Sequence, residues 1–245
     1  MIRLISAVRP LLVLGVLTSA SLLRADLAED LANKYVEALG GGAAMNLLQS
    51  LRATGRTTLQ STEVETVMWA ARPNRIRVES RYVNKLFIQG YDGENPPWQS
   101  NSEVKDGAPI PLPASEVKSF LSDSDFDGAL VNYAQKGYSL DYVGTAAVEG
   151  KPVHKLLLAA STGELMYFVL DAKTYLLVER VSQKIIQGRK AEIHIYYRDY
   201  RRVGGVLMPY QIEAKAGERT LYITTLNQVV ANPALPSGVF SSPVS

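Results

Sequence analysis

From residue 51 onward the chain alternates apolar and polar positions. In "LRATGRTTLQ", Leu51, Ala53, Thr57 and Leu59 interleave with Arg52, Thr54, Arg56, Thr58 and Gln60, the pattern of a strand with one covered and one wetted face. "NRIRVESRY" repeats it, Ile76, Val78 and Tyr82 standing opposite Arg75, Arg77, Glu79 and Arg81, and "KLFIQGYDG" carries a further strand into a turn. Seven more strand patterns follow from residue 139: "SLDYVGTAAVEG", "KPVHKLLLAAS", "GELMYFVLD", "TYLLVERVSQKII", "AEIHIYYRDY", "VLMPYQIEAK" and "RTLYITTLNQVV". Their separators, such as Gly150, Ser161-Thr162-Gly163, Gly188, Gly204-Gly205 and Ala216-Gly217, are hairpin-sized. Breaks so short exclude parallel crossovers, which need a dozen or more residues, and predict an antiparallel meander. About ten or eleven twisted strands tend to curl into a barrel or a half-barrel.

Upstream of the strands the period is near four. Asp26 with Glu29 reads as a capping box opening an amphipathic helix with Leu27, Leu31, Tyr35 and Ala38 on one stripe. "GGG" at 40–42 ends it, and "AAMNLLQ" predicts a short second helix. Two more helical candidates lie between the strand groups, "SEVKSFL" and "DFDGALVNYAQKG". The class is therefore α+β, with one domain and no internal repeat.

The "YDGENPPW" stretch interrupts the sheet, because Asp92-Gly93 supplies a tight turn and Pro96-Pro97 cannot occupy a central strand. Trp98, one of two tryptophans, then caps a core or guards the mouth of an apolar cavity.

Residues 1–25 stand apart. Arg3 and Arg9 flank a basic start, "LLVLGVL" (Leu11 to Leu17) is apolar, and Thr18 to Ser21 are small, the layout of a cleavable secretory signal rather than a bilayer span. Cleavage falls after Ala20 or Ala25, with Ala25 preferred. The full chain carries 26 basic and 24 acidic residues; without Arg3, Arg9 and Arg24 the balance is 23 to 24, a net charge of −1. A near-neutral mature protein has no global attraction for nucleic acid or for an anionic membrane. The absence of cysteine removes disulfides, thiol chemistry and Cys-based metal sites. The expected location is a bacterial periplasm, with no stable membrane insertion.

Catalytic equipment is sparse. "DSDFDG" (123–128) matches the first half of a calcium loop, but position 12 is Ala134 instead of Glu, so an acidic helix start is the preferred reading and no metal is expected. The two histidines, His154 and His194, have no third imidazole and no HExxH; His154 reads as a satisfied core or rim residue. No GxSxG motif accompanies it. The glycines at 40–42 lack the following Lys-Ser/Thr of a phosphate loop. The basic stretch Arg72, Arg75, Arg77, Arg81, Lys85 is interrupted by Glu79 and reads as a solvated face. Glu63 and Glu65 share one strand face instead of facing each other, so they do not form a glycosidase pair. Abundant apolar alternation with little chemistry points to a container.

Several segments, in this order, resemble the LolA/LolB-like superfamily, in particular outer-membrane lipoprotein-sorting homologues: "YVEALGG", "RPNRIRVES", "YDGENPPW", "FDGALVNYAQKGYSLDYVG", "VEGKPVHKLLL", "GELMYFVLDAKTYLL" and "YRDYRRVGGVLMPYQIE". The resemblance spans almost all of residues 26–245. It implies a single curved antiparallel sheet, an incomplete β-barrel whose concave face is covered by helices. It also implies a non-catalytic, cofactor-free carrier of lipoprotein acyl chains or another apolar ligand. Arg72, before Pro73, is the nearest counterpart to the carriers' gating arginine.

By alternation the cavity-facing residues are Leu51, Leu59, Ile76, Val78, Leu86, Ile88, Leu156, Leu158, Ile193, Ile195 and Tyr197, with Trp98 at the turn. Two other readings stand beside the carrier. One is an envelope sensor or adaptor that binds a protein partner and keeps a vestigial cavity; the other is a hydrolase built on His154 or paired carboxylates.

Overall fold

The computed structural model describes residues 14–103, 107–161, 163–186 and 189–243. Helices α1 (Leu14–Leu39) and α2 (Gly41–Leu47) precede strands β1 (Ser50–Leu59), β2 (Thr62–Ala71), β3 (Arg75–Tyr82), β4 (Lys85–Tyr91), β5 (Trp98–Asn101) and β6 (Ile110–Pro111). Helix α3 (Ala114–Ser124) leads to β7 (Tyr138–Val148), β8 (Lys151–Ala160), β9 (Leu165–Asp171), β10 (Leu177–Ile186), β11 (Arg189–Val203), β12 (Val206–Ala216) and β13 (Arg219–Ala231).

All strands belong to one open antiparallel sheet of 13 strands, in the order β6-β5-β4-β3-β2-β1-β13-β12-β11-β10-β9-β8-β7. The meander predicted from the short turns is present. The expected count of ten or eleven is too low, for two reasons. β2 ends in "MWAA", where alternation dissolves, and β5 and β6 are too short to show a period. Pro111 is tolerated because β6 is an edge strand.

Strand order explains the long middle segment. The chain leaves the sheet at one edge, β6, and re-enters at the other, β7, so residues 112–137 have to cross from edge to edge. That crossing carries α3 and the "DFDGALVNYAQKG" stretch. The latter is a succession of turns and not the expected helix, because Gly128, Asn132 and Gly137 take φ of 76°, 53° and 79°, which break a right-handed helix. Its Ala129, Leu130 and Val131 are nevertheless buried.

α1 runs through Asp26 without a break, so the expected capping box is not a helix start; the Leu- and Ala-rich sequence from residue 14 favours continuation. The signal reading of residues 1–25 concerns a segment whose residues 1–13 lie outside the described ones. The buried stripe of α1 is Ala28, Leu31, Ala32 and Leu39 with Tyr35 packed beside it, whereas Leu27 is exposed. This stripe packs on Leu140, Leu156, Leu158, Met166, Phe168 and Leu170 from β7 to β9. α2 adds Met45, which together with Leu48 lies against Leu51, Val203, Val206 and Tyr210. At the α1–α2 junction Gly40, at φ 130°, approaches the β11–β12 hairpin so closely that a Cβ would stand 2.4 Å from the Gly205 carbonyl oxygen. No other residue fits there.

Trp98 settles on the face of the sheet away from the helices. It is opposite Gly90, which pairs with Arg77, and a Cβ at Gly90 would stand 2.5 Å from its indole. Its Nε1–H donates to the Phe240 carbonyl at 3.1 Å, and Arg77 lies 5.7 Å from the ring. Trp98 is thus a buried clamp for the C-terminal segment, remote from the helix-covered face. Asp92 Oδ1 meanwhile accepts the N–H groups of Glu94 and Asn95, fixing the preceding turn.

Candidate functional site

Between the helices and the sheet lies a cavity of about 250 Å³. Leu39, Met45, Leu48, Leu130, Phe168 and Val206 supply apolar walls, and Tyr35, Tyr197, Tyr200, Arg72 and Arg180 supply the polar ones. Each wall has a local cause. Tyr35 and Leu39 lie one turn apart on α1. Tyr197 and Tyr200 are three apart on one strand, a spacing that plain alternation forbids. Asp199 between them takes φ 55°, which resets the phase of β11.

The three aspartates of "DSDFDG" each hold a different cation. Asp123 accepts from Arg180 Nη2 at 2.8 Å, and Asp125 from Lys136 Nζ at 2.6 Å. Both oxygens of Asp127 accept from Arg72, the Nη2–Oδ1 distance being 2.7 Å. The acidic-helix-start reading is therefore replaced: α3 ends at Ser124, and the carboxylates serve as anchors for the crossing segment. Among the described residues no group of three or more His, Asp or Glu side chains stands in metal-binding array.

Arg72 is a staple. Besides Asp127 it donates from Nε to the Leu48 carbonyl at 2.8 Å and from Nη2 to the Met45 carbonyl at 2.7 Å, and it stacks 4.9 Å from the Phe126 ring centroid. It gives the Leu48 carbonyl, just past α2, a donor and the Met45 carbonyl a second one beside the Leu48 N–H, while pinning residues 126–127 over the cavity.

Arg180 projects from β10 onto the helix-covered face, since it pairs with Phe168 of β9 and Ile195 of β11. Its side chain is only 15% exposed, and its Nε has no hydrogen-bond partner among the described residues. Burial opposes its charge, but Tyr197 and Asp123 outweigh that and hold its pKa above the usual arginine value. Burial likewise raises the phenols of Tyr35, Tyr197 and Tyr200, and pushes Tyr222 up to about 12. At neutral pH the region therefore presents a fixed cation among neutral O–H groups.

The alternation-based candidates divide between the two faces of the sheet. Leu51, Ile76, Val78, Leu156, Leu158, Ile193, Ile195 and Tyr197 share the helix-covered face, as does Leu59 by phase, although Leu59 is 44% exposed at a hairpin end. Leu86 and Ile88 pair with Arg81 and Glu79, which puts them on the opposite face with Trp98. "KLFIQGY" is apolar on both phases, so its sequence does not reveal its orientation. Of the whole set only Tyr197 lines the cavity. Leu156 and Leu158 are consumed by packing under α1, and Ile193 and Ile195 by packing with Ala214.

Sequence reasoning missed Arg180 and Tyr200. A charged residue on an inner phase is a legible signal, but a register shift between Leu177 and Glu179 scrambles the phase of β10. The histidines are both partnered at one nitrogen. His154 Nδ1 is 3.4 Å from the Tyr142 hydroxyl and its ring stacks on Tyr175, while His194 Nδ1 is 2.6 Å from Glu179 Oε1 on the outer face.

Among solved structures, the chain is similar to a DUF1329 family protein from Desulfovibrio piger, with a TM-score of 0.62 at 11% identity over 89% of this chain and 97% of that one. It is similar to a putative outer membrane lipoprotein-sorting protein domain from Vibrio parahaemolyticus, with a TM-score of 0.60 at 9% identity over 89% and 97%. A LolA superfamily protein from Nitrosomonas europaea gives 0.56 at 12% identity over 87% and 97%. No family model and no curated protein sequence matches the chain. At such identities the likeness is one of fold, and the fold is LolA-like.

Proposed function

We propose that this chain is a non-catalytic carrier or binding protein of the bacterial periplasm. Residues 1–25 direct export, and residues 26–245 form one LolA-like domain that holds an acyl chain or another apolar ligand. The observation that carries this reading is the cavity between α1, α2, residues 125–130 and β9–β12. Its volume, about 250 Å³, approaches the lower end of ligand pockets, ~300 Å³. It suits part of one slender chain. Support for the carrier class comes from the fold shared with a lipoprotein-sorting domain. Among the described residues no helix is long and apolar enough to cross a membrane.

Leu207 lines the cavity and is only half-buried, so Leu207→Trp fills space without dismantling the core. Displacement of a fluorescent fatty acid should saturate with the wild type and weaken about tenfold or more in Leu207→Trp, at unchanged melting temperature. Absence of saturable binding by the wild type sinks the carrier reading and leaves the partner-binding adaptor.

Export has its own readout. Mature protein from the producing bacterium should begin near Ser21 or Asp26 on N-terminal sequencing; soluble protein that retains Met1 contradicts the periplasmic reading.

A further inference from the structure

We infer that the cavity selects a single-chain amphiphile with a carboxylate head, and that Arg180 is the residue that receives this head. The inference rests on the carrier reading of the same cavity and adds the chemistry of its ligand.

A guanidinium presents five N–H donors in a planar fork. In Arg180 one of them meets Asp123, at Nη2, and Nε is left buried without a partner among the described residues. Such a group is costly to desolvate, and buried polar atoms are almost always satisfied. The existing counter-ion stabilises the charge but meets the guanidinium only at Nη2, from a side chain that is 46% exposed at the end of α3, so the buried Nε–H stays unmet. A carboxylate is planar and accepts two parallel N–H bonds from one edge of the fork, which is the geometry an unused Nε and its neighbouring Nη offer.

The surroundings fit the same ligand. Tyr197 lines the cavity beside Arg180, and Tyr222 packs with Tyr197 against Ile193, Ile195 and Ala214. Neutral phenols donate to a carboxylate and, lacking its charge, are weaker acceptors for the cation. Of the apolar walls, Phe168 stands directly opposite Arg180 on β9, and Leu39, Met45, Leu48, Leu130 and Val206 complete the lining. A head at Arg180 therefore leaves a tail among hydrocarbon side chains. A neutral acyl anchor places nothing at the guanidinium and leaves its Nε orphaned.

The test compares three ligands of one chain length: dodecanoate, 1-dodecanol and monododecyl phosphate, titrated by displacement of a fluorescent probe at neutral pH. Dodecanoate should bind at least about tenfold tighter than dodecanol, the value of a charge-assisted hydrogen bond. Phosphate should not exceed it. In Arg180→Met, which keeps the apolar stem and leaves only the half-exposed Asp123 unpaired, the preference for carboxylate should vanish while dodecanol binding persists. Asp123→Asn, at a site exposed enough to tolerate it, frees the guanidinium; dodecanoate should then tighten several-fold with dodecanol unchanged.

Equal binding of acid and alcohol by the wild type overturns the head-group assignment and leaves the carrier reading intact. Failure of all three ligands to bind removes the carrier reading itself. Tighter binding of the phosphate overturns the carboxylate assignment. A loss shared by acid and alcohol in Asp123→Asn assigns Arg180 to holding α3 and likewise overturns the proposal. If Arg180→Met does not fold, the wild-type preference and the Asp123→Asn arm still decide.

Discussion

Arg72→Met is expected to lower stability by about 3 kcal/mol, the lower end of the cost of breaking a buried ion pair. Arg72 and Asp127 are 19% and 20% exposed, which places the pair between core and surface. The loss is not only electrostatic. The same guanidinium donates to the carbonyls of Met45 and Leu48 and covers Phe126, so methionine replaces the apolar stem but leaves the Leu48 carbonyl and a carboxylate without this donor, while Met45 keeps only the Leu48 N–H. Because these groups belong to α2 and to the crossing segment, the cavity wall should loosen together with the fold. A double-mutant cycle with Asp127→Asn, read by urea unfolding, should return a coupling above about 1 kcal/mol. A loss in Arg72→Met below about 1 kcal/mol, the range of exposed pairs, denies the staple.

Ile195→Asp should be the most damaging single change considered. Ile195 is 4% exposed and packs with Ile193 and Ala214 on the helix-covered face, away from the cavity lining. An aspartate there loses apolar burial and must either be desolvated without a partner or take up a proton, at a cost of about 4 kcal/mol or more. Whole domains are stable by only ~5–15 kcal/mol, so loss of cooperative melting near ambient temperature is the expected result. Arg198→Gln is the control on the opposite phase. It forfeits ion pairs to Glu149 and Glu213 on a partly exposed side chain and should cost under about 1 kcal/mol. A folded Ile195→Asp with a near-normal melt shows that the β11 interior is not the solid core described.

The Ile195 expectation differs from what alternation alone suggests for this strand. Read from "AEIHIYY", Ile195 belongs to a ligand-facing surface. In the fold it belongs to packing, because an inner face large enough for 13 strands is mostly filled by its own side chains and by α1 and α2. Space remains between the helices and the sheet where α2 and residues 125–130 arch over β9–β12.

What the sequence determined by itself is local and short-ranged: an amphipathic helix stopped at Gly40, period-two strands, hairpins too brief for crossovers, and hence an antiparallel meander. The backbone's two periodicities and turn chemistry act between neighbours, so these features are legible residue by residue. The tertiary structure decided what depends on partners distant in the chain. It paired β1 with β13, and thereby sent residues 112–137 across the sheet. It put Leu86, Ile88 and Trp98 on the outer face, because a strand apolar on both phases takes its orientation from its neighbours' register. It distributed the "DSDFDG" carboxylates among Arg180, Lys136 and Arg72, the first and last of them 57 and 55 residues away. The cavity and its buried arginine arise from those long-range choices, since charges and walls from α1, α2, the crossing segment and four strands converge only once β1 has paired with β13.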